Sequence, residues 1–397
     1  MSKITVLEVD MKIKEISLKN IGNISGLSLN LNEHMNVICG TNGIGKTTIL
    51  RAVKSLFDNS ESDLKKKYGT DQGTIVADLF DGHKRRLNID SVLPSDENKN
   101  YSNSEYFFDL ANEIIVNPDS RNLEYKSLRS MSRYPDRKSN RILGNSQFLK
   151  NTVGDTLKDW LLNRIAASGS NDDLSEAERY NIQKMKETFS VIDSKIKYKM
   201  VDWRTFEVLL NDNGNEVYLE FESTGFKNIL FIILGIMEEI EFRFNDLKID
   251  EFDGIILIDE VELHLHPAWQ DKIIGILKQM FPKAQFIITT HSPAVLQSLD
   301  KDEIIPLSID DGDVDIKRLD LSEYGLKGWT LEEILSDVMG VGELKNKVLR
   351  DALDGFSTAI DDNNVETAKK EYEKLNVMLH PKSQLRQILQ IQKAGLF

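Results

Sequence analysis

Three clusters of residues in this chain have the types and spacing to do chemistry, and they lie far apart along it. The first is Gly40-x-x-x-x-Gly45-Lys46-Thr47, entered from the apolar run Val37-Ile38-Cys39. Glycines at 40, 43 and 45 let the backbone wrap so that successive N–H groups converge. A helix expected over 48–57 sets its positive end behind them, which makes a cradle for phosphate oxygens. In such a loop Lys46 reaches the β- and γ-phosphates and the Thr47 hydroxyl ligates Mg²⁺, with Asn42, Gly43, Gly45 and Thr48 lining the cradle. The second cluster is Asp259-Glu260, closing Ile255-Ile-Leu-Ile258. Carboxylates at the C-terminal end of a buried parallel strand lie beside the phosphate loop of a doubly wound sheet. There Asp259 holds the magnesium shell, and Glu260 orients or deprotonates an attacking water. The third is His291, in Thr289-Thr-His-Ser-Pro293 at the end of the next apolar strand. From there an imidazole can approach a γ-phosphate and sense or stabilise its charge. His264 and His266 alternate, as two metal ligands on one face of a strand would. One cysteine and six histidines leave few groups to complete such a site, and a structural or subunit-contact role stands beside the metal one.

The elements that must position these groups follow from periodicity. Residues 11–39 alternate with period two and break at Gly22 and Gly26, predicting several short strands ahead of the loop. Strands are also expected over 74–93, turning at Asp81-Gly82, and over 113–117. Helical spacing takes over between 121 and 200, with Leu157, Trp160, Leu161 and Ile165 on one face. A second helix there opens on Ser175 with Glu178 three residues on, a capping box. Strands at 206–210 and 217–221 flank the turn Asn211–Asn215. Then come a helix (226–243), a buried strand (254–259), a helix (268–281) and another buried strand (285–290). Wholly apolar strands separated by a helix indicate a parallel sheet covered on both faces. Residues 330–397 are helical in pattern.

Bulk properties narrow the class. A chain of 397 residues exceeds one ordinary core, and a formal charge of −14 makes the whole a poor non-specific nucleic-acid binder. The single Cys39 rules out an intramolecular disulfide framework and a four-cysteine zinc site, and suits a reducing cytoplasm. The longest apolar run, 229–237, is too short to span a bilayer and is closed by Glu238-Glu239. The N-terminal residues are unlike a signal peptide. A cytoplasmic protein with no membrane association is expected.

The order of phosphate loop, Asp259-Glu260 with Glu262-Leu-His-Leu-His-Pro267, and Thr289-Thr-His-Ser-Pro293 resembles the ABC-type ATPases of the SMC, RecF and OLD group. The resemblance covers roughly residues 11–120 and 205–310. It implies an α/β fold: a P-loop ATPase with mixed and parallel sheet, an inserted helical lobe and a C-terminal all-helical region. Its parts would be a first core segment (1–120), the lobe (121–204), a second core segment (205–325) and a helical partner-binding or packing region (326–397). ATP and Mg²⁺ would be the cofactors. The family also carries a Ser-x-Gly signature opening a helix before the Asp-Glu strand, matched here by Ser223-Thr224-Gly225. Glu222 stands for the usual Leu, and Thr224 for the first Gly of Leu-Ser-Gly-Gly-Gln. In the family this signature meets the γ-phosphate bound by the other subunit, which implies a head-to-head homodimer around two ATP molecules. A glutamine loop that reports nucleotide state would fall near Asn117–Arg121 or at Gln147.

Within that group, the insertion is too short for a long coiled-coil arm. No Asp-x-Asp nuclease module follows His291, and no His-Asn-His nuclease is visible, so an effector would be another chain. The C-terminal segment is similar to the tails of stand-alone ATPase subunits of Septu-type anti-phage systems, which work with a separate HNH-type nuclease. Simple packing of these helices on the core remains the alternative. Between Arg121 and Arg141, seven Lys and Arg face two acids, with Tyr125 and Tyr134 interleaved. That stretch could contact DNA or RNA, or be a solvated surface. The expected function is an ATPase that dimerises on ATP and controls a partner nuclease in phage defence. The alternative is a RecF-like repair or chromosome-maintenance ATPase acting directly on DNA. A transporter nucleotide-binding subunit is disfavoured by the altered signature and the helical tail.

Overall fold

Alternating apolar residues build the first sheet. Ile13, Ile16, Leu18 and Ile21 of β1 (Ile13–Ile21) and Ile24, Leu27 and Leu29 of β2 (Ile24–Asn30) point inward, and their neighbours face out. Gly22 makes the turn at φ +57°, whereas Gly26 lies inside β2 rather than breaking it. The structure, a computed structural model, describes residues 12–57, 64–93, 114–117, 153–169, 174–244, 246–342 and 346–394. β3 (Met35–Cys39) is buried along its whole length and delivers the chain to helix α1 (Lys46–Phe57), which starts two residues earlier than its sequence predicts. β4 (Gly73–Leu79) and β5 (Lys84–Ile89) return beside β1, giving an antiparallel sheet of order β2-β1-β4-β5.

β6 (Ile114–Asn117) is the edge of a second sheet. The lobe follows with α2 (Val153–Ala167) and α3 (Glu176–Ile192); the Ser175–Glu178 capping box is present, and Leu157, Trp160, Leu161 and Ile165 are buried. The residues expected as the end of a helical lobe instead form a strand, β7 (Ile196–Asp202). It pairs with β8 (Glu207–Asp212) and, through it, with β9 (Asn215–Tyr218). Ile196, Tyr198 and Met200 alternate with Lys197 and Lys199, a period-two pattern that marks a strand and that assigning the whole stretch to a helical lobe overlooks. The β8–β9 turn is Asn213-Gly214, both at positive φ (+51° and +89°), as a two-residue hairpin requires. Helix α4 (Thr224–Arg243) is buried almost throughout.

The second sheet is completed by β10 (Ile255–Ile258), by α5 (Pro267–Gln270) and α6 (Ile273–Met280) as its crossover, and by β11 (Gln285–Thr289). One continuous helix was expected over 268–281; it is broken between Gln270 and Ile273. After α7 (Pro293–Gln297) come two strands the periodicity does not announce, β12 (Ile304–Asp310) and β13 (Asp313–Ile316). The sheet runs β13-β12-β3-β11-β10-β6, parallel except for the β12–β13 hairpin. Pairings Ile258↔Ile288, Ile258↔Asn117 and Thr289↔Ile38 bring the C-terminal ends of four strands to one edge.

The chain divides into two compact units at Gly340/Val341, not at 325/326. Leu326, Ile334, Val338 and Met339 belong to the core of the larger unit, which is why the boundary shifts. The smaller unit has α8 (Lys347–Asp361), α9 (Val365–Met378) and α10 (Gln384–Ala394) around Phe356, Ala368, Tyr372 and Leu375. No helix among the described residues is long and apolar enough to cross a membrane.

Candidate active site

The loop between β3 and α1 has the backbone its glycines predict. Gly40, Gly43 and Gly45 take φ of +144°, +75° and +111°. Gly40 has a second reason to lack a side chain: a Cβ there would sit 2.7 Å from the Leu307 carbonyl of β12. Asn23, in the β1–β2 turn, braces the loop by donating from Nδ2 to the Gly43 carbonyl at 3.0 Å. Lys46 is only 5% exposed, and its Nζ donates to the Gly40 and Thr41 carbonyls at 2.9 Å each. Burial pushes its pKa down, opposed by the carboxylates of Glu262, Asp259 and Glu260. Burial drives the Cys39 thiol the other way, to about 12, so it stands under the loop as a neutral apolar group.

Asp259 and Glu260 leave the end of β10 next to this loop. Thr289, the last residue of β11 and fully buried, ties the pair together. Its hydroxyl donates to Asp259 Oδ1 and accepts the Glu260 backbone N–H at 2.8 Å. That bond pins Glu260 at φ +46°, a left-handed conformation uncommon for a residue with a side chain. The Glu260 carboxylate is 46% exposed, and His291 Nε2 stands 3.9 Å from its Oε1. Burial, then Lys46, hold the His291 pKa below the ordinary imidazole value, favouring the neutral ring.

Two residues here carry roles that motif spacing does not disclose. One is Thr289. The other is Glu262, whose carboxylate accepts Thr290 Oγ1 at 2.7 Å and the His291 backbone N–H, fixing the turn that carries the imidazole. A carboxylate two positions after the Asp-Glu pair and a threonine just ahead of the Thr-His were the only signals. Thr47, in the first turn of α1, and Asp259, just past the C-terminal end of β10, offer a hydroxyl and a carboxylate, oxygen donors that suit Mg²⁺ and not a soft metal.

Other expected residues go elsewhere. Ser223 caps α4, its Oγ accepting the Phe226 N–H at 3.2 Å, and it lies exposed with Thr224. Gly225 is buried under the Trp269 indole, so the bare glycine is filled from within the same chain instead of lying open to an anion. His264 ends a turn and His266 sits at the start of α5, neither on a strand, so their alternation does not put them on one face. His266 Nδ1 caps α5 by accepting the Ala268 N–H, and no cluster of three metal-binding side chains exists among the described residues. Asn117 ends β6 in register with Ile258, beside the acidic pair. Residues 118–121, Gln147 and the whole basic run 121–141 lie outside the described residues.

The family model described as "AAA domain, putative AbiEii toxin, Type IV TA system" matches residues 35–297, from β3 to the end of α7. The chain is also 37% identical over 393 residues to the Septu protein PtuA of Bacillus thuringiensis, covering 96% of this chain and 98% of that one. It belongs to the PtuA family. A second PtuA, from Bacillus mycoides (strain KBAB4), is 27% identical over 319 residues, 75% of this chain but 40% of that protein. Among solved structures, the SMC head domain from Thermotoga maritima is similar at 15% identity and a TM-score of 0.46, covering 78% of this chain and 100% of that one. The match to PtuA runs through the C-terminal helical unit as well as the ATPase core.

Proposed function

We propose that this chain is a Mg²⁺-dependent cytoplasmic ATPase that dimerises around ATP and controls a partner nuclease in bacterial anti-phage defence. The observation that carries the hydrolytic part is the convergence of Lys46, Asp259, Glu260 and His291 at one edge of the parallel sheet, with the imidazole 3.9 Å from the Glu260 carboxylate. The loop amides and Lys46 bind the triphosphate. Thr47 and Asp259 would hold Mg²⁺, which supplies charge neutralisation at the β- and γ-phosphates. Glu260, exposed and pinned at its backbone, orients the attacking water. His291, kept neutral, donates to the γ-phosphate as charge develops. Ser223, exposed at the start of α4, acts on the nucleotide of a second copy, with Thr224 beside it. Membership of the PtuA family supports the defence role and the separate HNH-type nuclease. A C-terminal unit with a core of its own supports a partner-binding use of those helices.

Substitution of the water-orienting carboxylate tests this. Glu260→Gln keeps the fold and the loop, so ATP binding persists while kcat falls by about 100-fold or more. Light scattering then finds an ATP-dependent dimer accumulating. Wild-type turnover in the Glu260→Gln chain, or one mass with and without ATP in both chains, refutes the assignment. Copurification of an HNH protein from the native operon tests the partner.

A further inference from the structure

Between the acidic pair and α6, the segment 261–270 reaches both halves of the proposed site. On one side it holds the His291 turn. Glu262 takes Thr290 Oγ1 and the His291 N–H, and Gln270 Oε1 accepts Ser292 Oγ at 2.7 Å. The same Gln270 donates from Nε2 to the Leu265 carbonyl at 2.9 Å, so its amide is fixed at both ends. On the other side the segment holds the start of α4. Asn228 Nδ2 donates to the His264 carbonyl at 2.7 Å, and the Trp269 ring meets Phe226 edge-on, centroids 6.4 Å apart. Trp269 also lies so close over Gly225 that a Cβ there would be 2.4 Å from its Cδ1 and 2.7 Å from its Nε1. Such a contact has no slack, so whatever moves the indole moves the helix start.

We infer that Trp269 and Gln270 are positioning residues that lock the Ser223 end of α4 to the His291 turn, so that the γ-phosphate sensor and the signature shift as one body. Consecutive in sequence, they bond to opposite halves: Gln270 to the residue after His291, Trp269 to the second residue after Ser223. Engagement of a γ-phosphate by His291 thereby sets the placement of the serine that acts on the second copy's nucleotide. The link rests on the proposed role of Ser223 in that dimer. The side-chain contacts that make the lock run to Leu265, Ser292, Gly225 and Phe226, so its effect is expected on turnover and not on nucleotide affinity.

The test uses the full-length chain with four variants, reading kcat, ATP-driven dimerisation and the affinity for a fluorescent ATP analogue. Gly225→Ala drives a methyl into Trp269; Gly225→Ala/Trp269→Leu makes room for it again. Gln270→Ala removes both amide bonds, and Gln270→Glu keeps the acceptor for Ser292. Displacement of a catalytic group by about 1 Å costs on the order of 100-fold. Gly225→Ala and Gln270→Ala are therefore expected to lose about 10- to 100-fold in kcat, with analogue affinity within about twofold of wild type. The double variant and Gln270→Glu recover most of that loss. A kcat within about twofold of wild type in both single variants, or a double variant no better than Gly225→Ala, overturns the lock. If Gly225→Ala does not fold, Gln270→Ala and Gln270→Glu decide it by the same criteria. A wild-type chain that neither hydrolyses ATP nor dimerises overturns the functional assignment, and the link with it; normal wild-type turnover with unaffected variants overturns the link alone.

Discussion

Replacing Thr289 by valine removes one hydroxyl from the centre of the site and little else. That hydroxyl donates to Asp259 Oδ1 and accepts the Glu260 N–H at 2.8 Å, in a side chain with no exposed surface. A hydrogen bond to a charged group contributes about 2 kcal/mol and a neutral one about 1 kcal/mol, so the loss in stability is about 3 kcal/mol. The kinetic effect is separate. The Glu260 N–H bond holds a backbone at φ +46°, and without it the two acids relax together. A displacement near 1 Å costs about 100-fold in rate, equivalent to about 2.7 kcal/mol of barrier. Thr289→Ser keeps the hydroxyl and loses a methyl, costing about 1 kcal/mol of stability and less than about threefold in kcat. Urea unfolding gives the first quantity and a coupled assay at saturating ATP gives the second. A valine variant that is destabilised but turns over within about twofold of wild type would show that the hydroxyl only supports the fold, and its role in holding Asp259 and Glu260 for catalysis would be refuted.

Other outcomes follow from the same contacts. His291 has a lowered pKa, so the unfolded chain binds more protons than the folded one below the ordinary imidazole range. The His291 contribution to stability is level above about pH 6.5 and falls as pH drops from there towards the lowered folded value, and His291→Gln reduces that part of the slope in denaturation midpoints taken across it. Arg164 Nε is 2.6 Å from the buried Glu241 carboxylate, which also accepts Trp160 Nε1 at 3.2 Å. Arg164→Ala strands that charge and costs about 3–5 kcal/mol; Arg164→Ala/Glu241→Leu recovers much of it in chemical denaturation. Leu375→Ala opens a cavity in the C-terminal unit worth about 2–5 kcal/mol. Hydrogen exchange rises across 347–394 while ATP affinity stays unchanged; a loss of affinity would contradict the two-unit division.

Much of the site was legible because its pieces are local patterns. Gly40, Gly43 and Gly45 ahead of Lys46 specify a backbone curvature that hardly depends on distant residues, and α1 follows from what succeeds them. Ile255–Ile258 closed by Asp259-Glu260 reads as a buried strand because four consecutive apolar residues suit a sheet covered on both faces. Where a feature depended on distant partners, the pattern was silent or misleading. β12 carries Pro306 within its apolar half and turns polar before Asp311-Gly312, so its place beside β3 had no periodic signal. His264 and His266 alternate as strand residues would, yet the first ends a turn and the second caps α5. The region from 326 to 340 reads as part of the helical tail, yet Ile334 and Val338 are core residues of the ATPase unit.

Residue types and spacing alone determined that this chain has a phosphate cradle, an acidic strand end and a histidine strand end. Close polar geometry of each kind is encoded within a few residues. Only the tertiary structure decided that β11 lies between β3 and β10, which brings Thr289 against Asp259 and puts His291 beside Glu260. It also decided that Trp269 fills the space above Gly225. Strand order and side-chain packing are settled by contacts between residues far apart in the chain, and those are energies of the whole fold.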